Sequence, residues 1–232
     1  LSDYRNLLVM ENTALPDRTA DAPPPHQSIG RPLADLLAGV GADGRLSRFV
    51  AASGKIRPGY QLYPWGAGRA AALPSYKSLT GRSAACICGT ELMAGIGKAL
   101  GMVVRVPCGA TGDGDTDLHA KAAAALALSK GFDTLILHVN GTDEFAHRRN
   151  REGKIRFLER IDRELLGPVL GGIGRNARFL VTSDHGTSSR TGRHERIPVR
   201  WFCADFHREK RMFTPPEIEK RRFDRLLREE MG

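Results

Sequence analysis

Thr134-Leu-Ile-Leu-His-Val139 runs directly into Asn140-Gly-Thr-Asp143-Glu-Phe-Ala-His147, and Arg178-Phe-Leu-Val-Thr182 runs into Ser183-Asp184-His185. Each is a short apolar stretch followed at once by aspartate and histidine. Stretches without polar alternation suit strands buried on both faces, the habit of parallel sheets. Polar residues then emerge at the strand ends. His194 follows nine residues after His185, across Gly186 to Arg193, a segment of Gly, Thr, Ser and Arg that reads as a loop.

The neighbouring sequence supports an α/β class. Ser83–Cys88 reads as a strand, Glu91–Leu100 as a helix closed by Gly101, and Val103–Pro107 as a second strand. Strand, helix and strand with short links make a βαβ unit, which calls for a parallel sheet. Thr116 or Asp117 can cap an alanine-rich helix reaching about Ser129. Lys154–Leu166 is amphipathic, Pro198–Ala204 reads as a last strand, and Pro216–Glu230 as a charged terminal helix. Upstream, Asn6–Met10 is apolar enough for a buried strand, and Pro32 opens a short helix over Leu33–Leu37. The glycine-bearing residues 39–60 read as mostly loop, apart from a helix candidate at Leu46–Ala52. The polar, glycine-rich Gly109-Ala-Thr-Gly-Asp-Gly-Asp-Thr-Asp117 is the natural joint. It predicts two lobes, residues 1–110 and 111–232.

Composition excludes several classes. The chain has 232 residues, 41% of them hydrophobic and 26% charged, which is ordinary for a globular protein. Its formal net charge of +9 is dispersed along the chain, and aromatics make up only 6%. Few stacking platforms are therefore available for single strands, and a dispersed basic surface suits an enzyme of small anions better than a nucleic-acid binder. The basic run Arg148–Arg163 is interleaved with Glu152, Glu159 and Asp162, as on a solvated helix face. Cys86, Cys88, Cys108 and Cys203 lack zinc-finger spacing. Cysteines in an apolar strand behave as small hydrophobes, which points to a reducing cytoplasm. No run of about 18 apolar residues suggests a membrane span. Leu1-Ser-Asp-Tyr-Arg5 is neither a signal peptide nor an initiator methionine, and reads as an interior position of a longer chain.

Asp143 and His147 are four residues apart, so on a helical segment they share one face and can share an ion. Asp184 and His185 are adjacent, and adjacent side chains of an extended segment diverge. Two neighbouring metals, each taking one of them, suit that geometry better than a single ion. Mixed imidazole and carboxylate donors favour Mn²⁺ or Zn²⁺. A pair of ions about 3.5–4 Å apart clamps both nucleophile and phosphoryl oxygens.

These motifs resemble a known family. Asp143-Glu-Phe-Ala-His147, Ser183-Asp-His-Gly-Thr187, and His194 shortly before Ile197-Pro-Val199 are similar to the cofactor-independent phosphoglycerate mutases, most closely their archaeal-type branch within the alkaline phosphatase superfamily. The likeness runs from Tyr4-Arg-Asn-Leu-Leu-Val9 to about Trp201. It takes in Pro24-Pro-His26, Trp65-Gly-Ala-Gly-Arg69, Gly109-Ala-Thr-Gly112 and Phe157-Leu-Glu-Arg-Ile-Asp162. The resemblance implies an alkaline-phosphatase-like metal domain (its C-terminal part, residues 111–232) and most of an inserted α/β substrate domain (residues 1–110). It implies two divalent ions, Mn²⁺ first, with Zn²⁺ or Mg²⁺ as alternatives. Asp143, His147 and His194 would hold one ion, and Asp184 and His185 would fall to the second. Arg69 would bind the phosphate or carboxylate of a phosphoglycerate substrate, and Arg5 and His26 are weaker candidates. The implied reaction is interconversion of 3-phosphoglycerate and 2-phosphoglycerate through a phosphoserine.

The chain also departs from that pattern. The family's serine nucleophile and first aspartate ligand precede the inserted domain, and nothing in these residues matches them. On this chain alone a phosphoserine mechanism cannot run. A complementary N-terminal polypeptide or another copy of the chain is the expected partner, since an incomplete sheet exposes an edge. Asn140 stands where the family usually has lysine, Arg148-Arg149 replace an acidic residue and a glycine, and the segment from about Phe206 does not follow the pattern. A phosphatase or phosphotransferase of the same superfamily is the alternative enzyme. A non-catalytic binder of a phosphometabolite or partner subunit is the alternative from another class.

Overall fold

The computed structural model describes residues 6–11, 22–25, 28, 30–38, 44–68, 72–173 and 177–206. The chain divides into two compact units, Leu1–Leu73 and Pro74–Gly232.

The first unit contains helices α1 (Leu33–Leu37) and α2 (Gly44–Ile56). Leu46 and Val50, one turn apart on α2, are buried and pack with Met10 and Leu37. The helix candidate at Leu46–Ala52 is thus present and extends over Gly44–Ile56, into flanks that the glycines mark as loop, because this apolar i, i+4 pair finds a partner surface. Ser53 supports the helix end by donating to the Val50 carbonyl at 2.6 Å and accepting from the Leu62 amide at 3.0 Å. The Tyr63 hydroxyl reaches back to the Pro23 carbonyl at 2.7 Å. Asn6–Met10 is not a buried strand. It forms no described ladder, and Leu7 and Val9 are exposed.

The second unit carries the sheet. Strands β1 (Ala84–Ile87), β2 (Val103–Arg105) and β3 (Thr134–Leu137) form a parallel sheet in the order β2-β1-β3, with Ile87 opposite both Arg105 and Leu137. Helix α3 (Tyr76–Thr80) leads into β1. Helix α4 (Glu91–Ala99), between β1 and β2, is capped by Thr90 and ended by Gly101. Its Met93 and Ala94 cover one sheet face over Cys86, Cys88 and Met102. Helix α5 (Leu118–Leu128) connects β2 to β3 and covers the other face. Asp117 caps it by accepting from the Ala120 amide at 2.8 Å. There Leu118, Ala122 and Ala125 join Ile87, Phe157, Leu165 and Val169 in the main core. The last three come from a continuous helical rod, α7 (Arg151–Arg160), a wider π-helical stretch Ile161–Leu166, and α8 (Gly167–Gly172).

The expected joint at Gly109–Asp117 is not a boundary. It connects β2 to α5 inside the second unit, and β1 pairs with β3 across it. Its polar glycines build a tight turn, with the Asp117 amide donating to Gly109 O at 2.9 Å and the Thr111 amide to Thr116 Oγ1 at 3.0 Å. A loop that folds on itself carries the same composition as a linker.

β4 (Ala177–Thr182) pairs antiparallel with β7 (Trp201–Phe206). Phe179 packs on the main core, as do Leu135 and Leu137 of β3. The rest of β4 is not the buried strand its apolarity predicts, since Leu180 and Val181 are exposed. Among the described residues no strand pairs with the second edge of β3 or of β4. The expected helix over 216–230 lies outside the described residues. Among the described residues no helix is long and apolar enough to cross a membrane.

Candidate metal centre

β2 and β3 lie on opposite sides of β1, so the connections from β1 and to β3 run over opposite faces. In an open α/β sheet the usual ligand position is beyond the carboxyl ends of the strands, where neighbouring connections run over opposite faces. Helix α6 (Gly141–His147) begins just past the end of β3. One helical turn aligns Asp143 with His147, whose Nε2 lies 3.2 Å from Asp143 Oδ2.

The third group arrives on a hairpin. β5 (Gly186–Thr187) pairs with β6 (His194–Glu195), setting Thr187 opposite His194. The loop predicted for 186–193 is this hairpin's turn, closed by Gly192 N–H to Ser188 O at 2.7 Å and Ser188 N–H to Arg193 O at 3.0 Å. Gly192 has φ +70°, and a side chain there would stand 2.8 Å from the His147 carbonyl oxygen, so glycine is required. The register brings His194 Nε2 to 3.1 Å from His147 Nε2 and 3.8 Å from Asp143 Oδ1.

Asp143, His147 and His194 thus present three ligand atoms within 4.8 Å of one another. The Gly192 carbonyl, 2.9 Å from His147 Nδ1, can only accept, so the ring proton sits there and Nε2 offers its lone pair. Two imidazole nitrogens 3.1 Å apart beside a carboxylate require a proton or a cation between them. That donor set fits a divalent ion of the borderline class.

His185 joins this group through Thr187. Its Nδ1 lies 3.1 Å from Thr187 Oγ1, which donates to Asp143 Oδ1 at 2.5 Å. The hydroxyl spends its proton on the carboxylate, so it accepts from His185 Nδ1–H and leaves the ring's lone pair on Nε2. The His185 and His194 rings are 4.0 Å apart between centroids. Asp184 is not drawn in. Its side chain is 83% exposed, and its Oδ2 is 3.5 Å from His185 Nε2. Arg69, like Arg5 and His26, lies outside the described residues.

Sequence reading missed three supports. Thr187 ends the Ser183-Asp-His-Gly-Thr187 run and Gly192 carries no motif of its own, and both take their roles from residues more than 40 positions away, Asp143 and His147. Lys121 is fully buried in α5, where periodicity would allow any helix former. Its Nζ donates to His138 O at 3.2 Å and Thr111 O at 3.4 Å. Burial pushes its pKa down. His138 is also held below the usual histidine range, by burial first and then by the Lys121 charge, with Asp184 opposing. Asn140 donates to the Gly112 carbonyl at 3.0 Å and stands 3.4 Å from Glu144 Oε1.

The sequence profile of the Metalloenzyme superfamily matches residues 7–221. The chain is 31% identical over 221 residues to the 2,3-bisphosphoglycerate-independent phosphoglycerate mutase of Methanothrix thermoacetophila, a match covering 87% of this chain and 55% of that protein. It is 41% identical over 128 residues to the mutase of the same name from Saccharolobus islandicus, covering 55% of this chain and 31% of that one. Among solved structures, the PH0037 protein from Pyrococcus horikoshii superposes with a TM-score of 0.55 at 30% identity, over 57% of this chain and 35% of that one. The chain spans about half the length of the curated relatives it matches, or less. With a parallel sheet wrapped by helices and an aspartate–histidine cluster beyond its carboxyl end, the chain belongs to the Metalloenzyme superfamily and is similar, over part of their length, to archaeal cofactor-independent phosphoglycerate mutases.

Proposed function

We propose that this chain supplies the metal-binding part of a 2,3-bisphosphoglycerate-independent phosphoglycerate mutase, interconverting 3-phosphoglycerate and 2-phosphoglycerate. The convergence of Asp143, His147 and His194 carries the reading. These three would hold one Mn²⁺, and His185 with Asp184 would contribute to a second. Divalent ions in such a centre supply charge for phosphoryl oxygens and lower the pKa of a bound hydroxyl nucleophile. The chain's own residues set up that chemistry. The Gly192 carbonyl fixes the His147 tautomer, the Thr187 hydroxyl orients both Asp143 and His185, and the buried Lys121 Nζ ties the His138 carbonyl just past β3. Arg69 would hold the substrate's phosphate or carboxylate.

In this reading Leu1–Leu73 belongs to the substrate domain and Pro74–Gly232 to the metal domain, which moves the boundary from residue 110 to residue 73. The serine nucleophile and the first carboxylate ligand would come from the length of the relatives that this chain does not span. A complementary polypeptide would bring them. The edges of β3 and β4 that pair with no described strand support such an addition, because unpaired edges accept a further strand.

The test is direct. Metal per chain is counted after loading with Mn²⁺, and isomerisation is assayed with and without a polypeptide carrying the serine segment. Bound Mn²⁺ and turnover only with the added segment are expected. Release of free phosphate without isomerisation moves the assignment to a phosphatase of the same superfamily. Binding without turnover leaves a non-catalytic subunit, and absence of bound metal sinks the centre.

A further inference from the structure

The turn Gly112–Gly114 touches α6 at both ends and in the middle. At the start, Asn140 Nδ2 donates to Gly112 O at 3.0 Å. Gly141 rests on the same turn, where a Cβ would lie 3.0 Å from the Asp113 carbonyl carbon and 2.6 Å from the Phe157 ring. In the middle, the Phe145 ring covers Gly114 so closely that a Cβ there would stand 2.5 Å from its Cζ. At the far end the Arg148 guanidinium forks onto the Asp113 carboxylate, with Nη1 to Oδ1 at 2.8 Å and Nη2 on Oδ2. The Gly114 amide holds that carboxylate at 2.6 Å, and Arg160 Nη1 donates to Gly114 O at 2.9 Å from the α7 side.

Asp143 and His147 lie between these two ties. The Arg148 side chain is 52% exposed, and an ion pair so open to water adds little to stability. A bidentate pair does fix orientation, because the planar fork accepts one geometry. Metal ligands need that, since productive positions tolerate about 0.5 Å of error.

We infer that Asp113 and Arg148 are positioning residues for the metal centre: a clamp that seats α6 on the Gly112–Gly114 turn and sets the approach of Asp143 and His147. The inference rests on the proposed metal-binding role of those two ligands.

The experiment uses the whole chain with Asp113→Asn, Arg148→Gln, Arg148→Lys and the exchanged pair D113R/R148D. Mn²⁺ affinity is measured by calorimetry, and amide exchange across residues 145–149 is followed in the metal-free protein. Each single neutral variant is expected to weaken Mn²⁺ binding about tenfold, the usual cost of losing an outer-shell partner. The metal-free melting temperature should barely move. Arg148→Lys, which keeps the charge without the fork, should fall in between, and the exchanged pair should recover most of the loss. Exchange at the end of α6 should quicken in Arg148→Gln while β1 amides stay slow. Parental Mn²⁺ affinity in both single variants, or an exchanged pair no better than either, overturns the clamp. If the parent itself binds no Mn²⁺, the metal reading fails on its own, and unchanged exchange in Arg148→Gln then overturns the clamp separately.

Discussion

The two halves of the centre are built differently. Asp143, His147 and His194 are each fixed by structure on either side. A helical turn aligns the first two, and the β5–β6 register presents the third. Asp184 stands at the end of β4, a strand of a two-stranded ribbon with mostly exposed side chains. His185 belongs with the first half through Thr187, although it is adjacent in sequence to the second. The contrast shows that the candidate ligands converge where their segments are packed, and that a motif alone does not bring them together. It also locates what a further strand beside β3 or β4 would have to supply, a wall for Asp184.

The largest effect should separate the halves outright. His147→Ala or His194→Ala should weaken Mn²⁺ binding by more than on the order of a hundredfold, beyond the range for outer-shell partners. Asp184→Asn should cost far less in the isolated chain, and equal losses by calorimetry would break the comparison. Packing should follow the same divide. Phe157→Ala, beneath Gly141 in the core, should destabilise the chain by about 3–5 kcal/mol in urea unfolding. Leu180→Ala on the exposed ribbon should stay within about 0.5 kcal/mol.

Thr187→Val tests whether His185 truly belongs to the packed half. Removing the hydroxyl shared by His185 and Asp143 should lower Mn²⁺ affinity about tenfold, with little change in melting temperature of the metal-free chain. The smallest effect concerns Lys121. Burial lowers its folded pKa below that of the unfolded chain. Between the two values the unfolded state binds more protons, so stability rises with pH there. The urea midpoint of the wild type, relative to Lys121→Met, should therefore climb as pH approaches the ordinary lysine value of 10.5. A flat difference would mean that the buried ammonium is fully compensated by its two carbonyl partners.

Much of this was legible in local sequence. The alternation of apolar runs with helical stretches predicts strands over 83–88, 103–107 and 134–139, which form over 84–87, 103–105 and 134–137, and of the two cap candidates, Thr116 and Asp117, Asp117 takes the place. The four-residue spacing of Asp143 and His147 places them on one face, as it must on any helix. Such features depend on propensity and periodicity, which act within a few residues. The glycines of 39–60 and 109–117 misled for the same reason. Composition reports how easily a backbone bends, while Leu46, Val50 and the β1–β3 pairing decide what it bends into.

Only tertiary structure decided the rest. The meeting of His194 with His147, the Thr187 hydroxyl between Asp143 and His185, and the fork of Arg148 on Asp113 join residues 35 to 47 positions apart. The sequence by itself determined the α/β class and nominated the ligands. Which of them share a site was settled by hydrogen-bond register and by glycines that admit neighbours too close for any side chain, contacts that exist only once the chain has closed on itself.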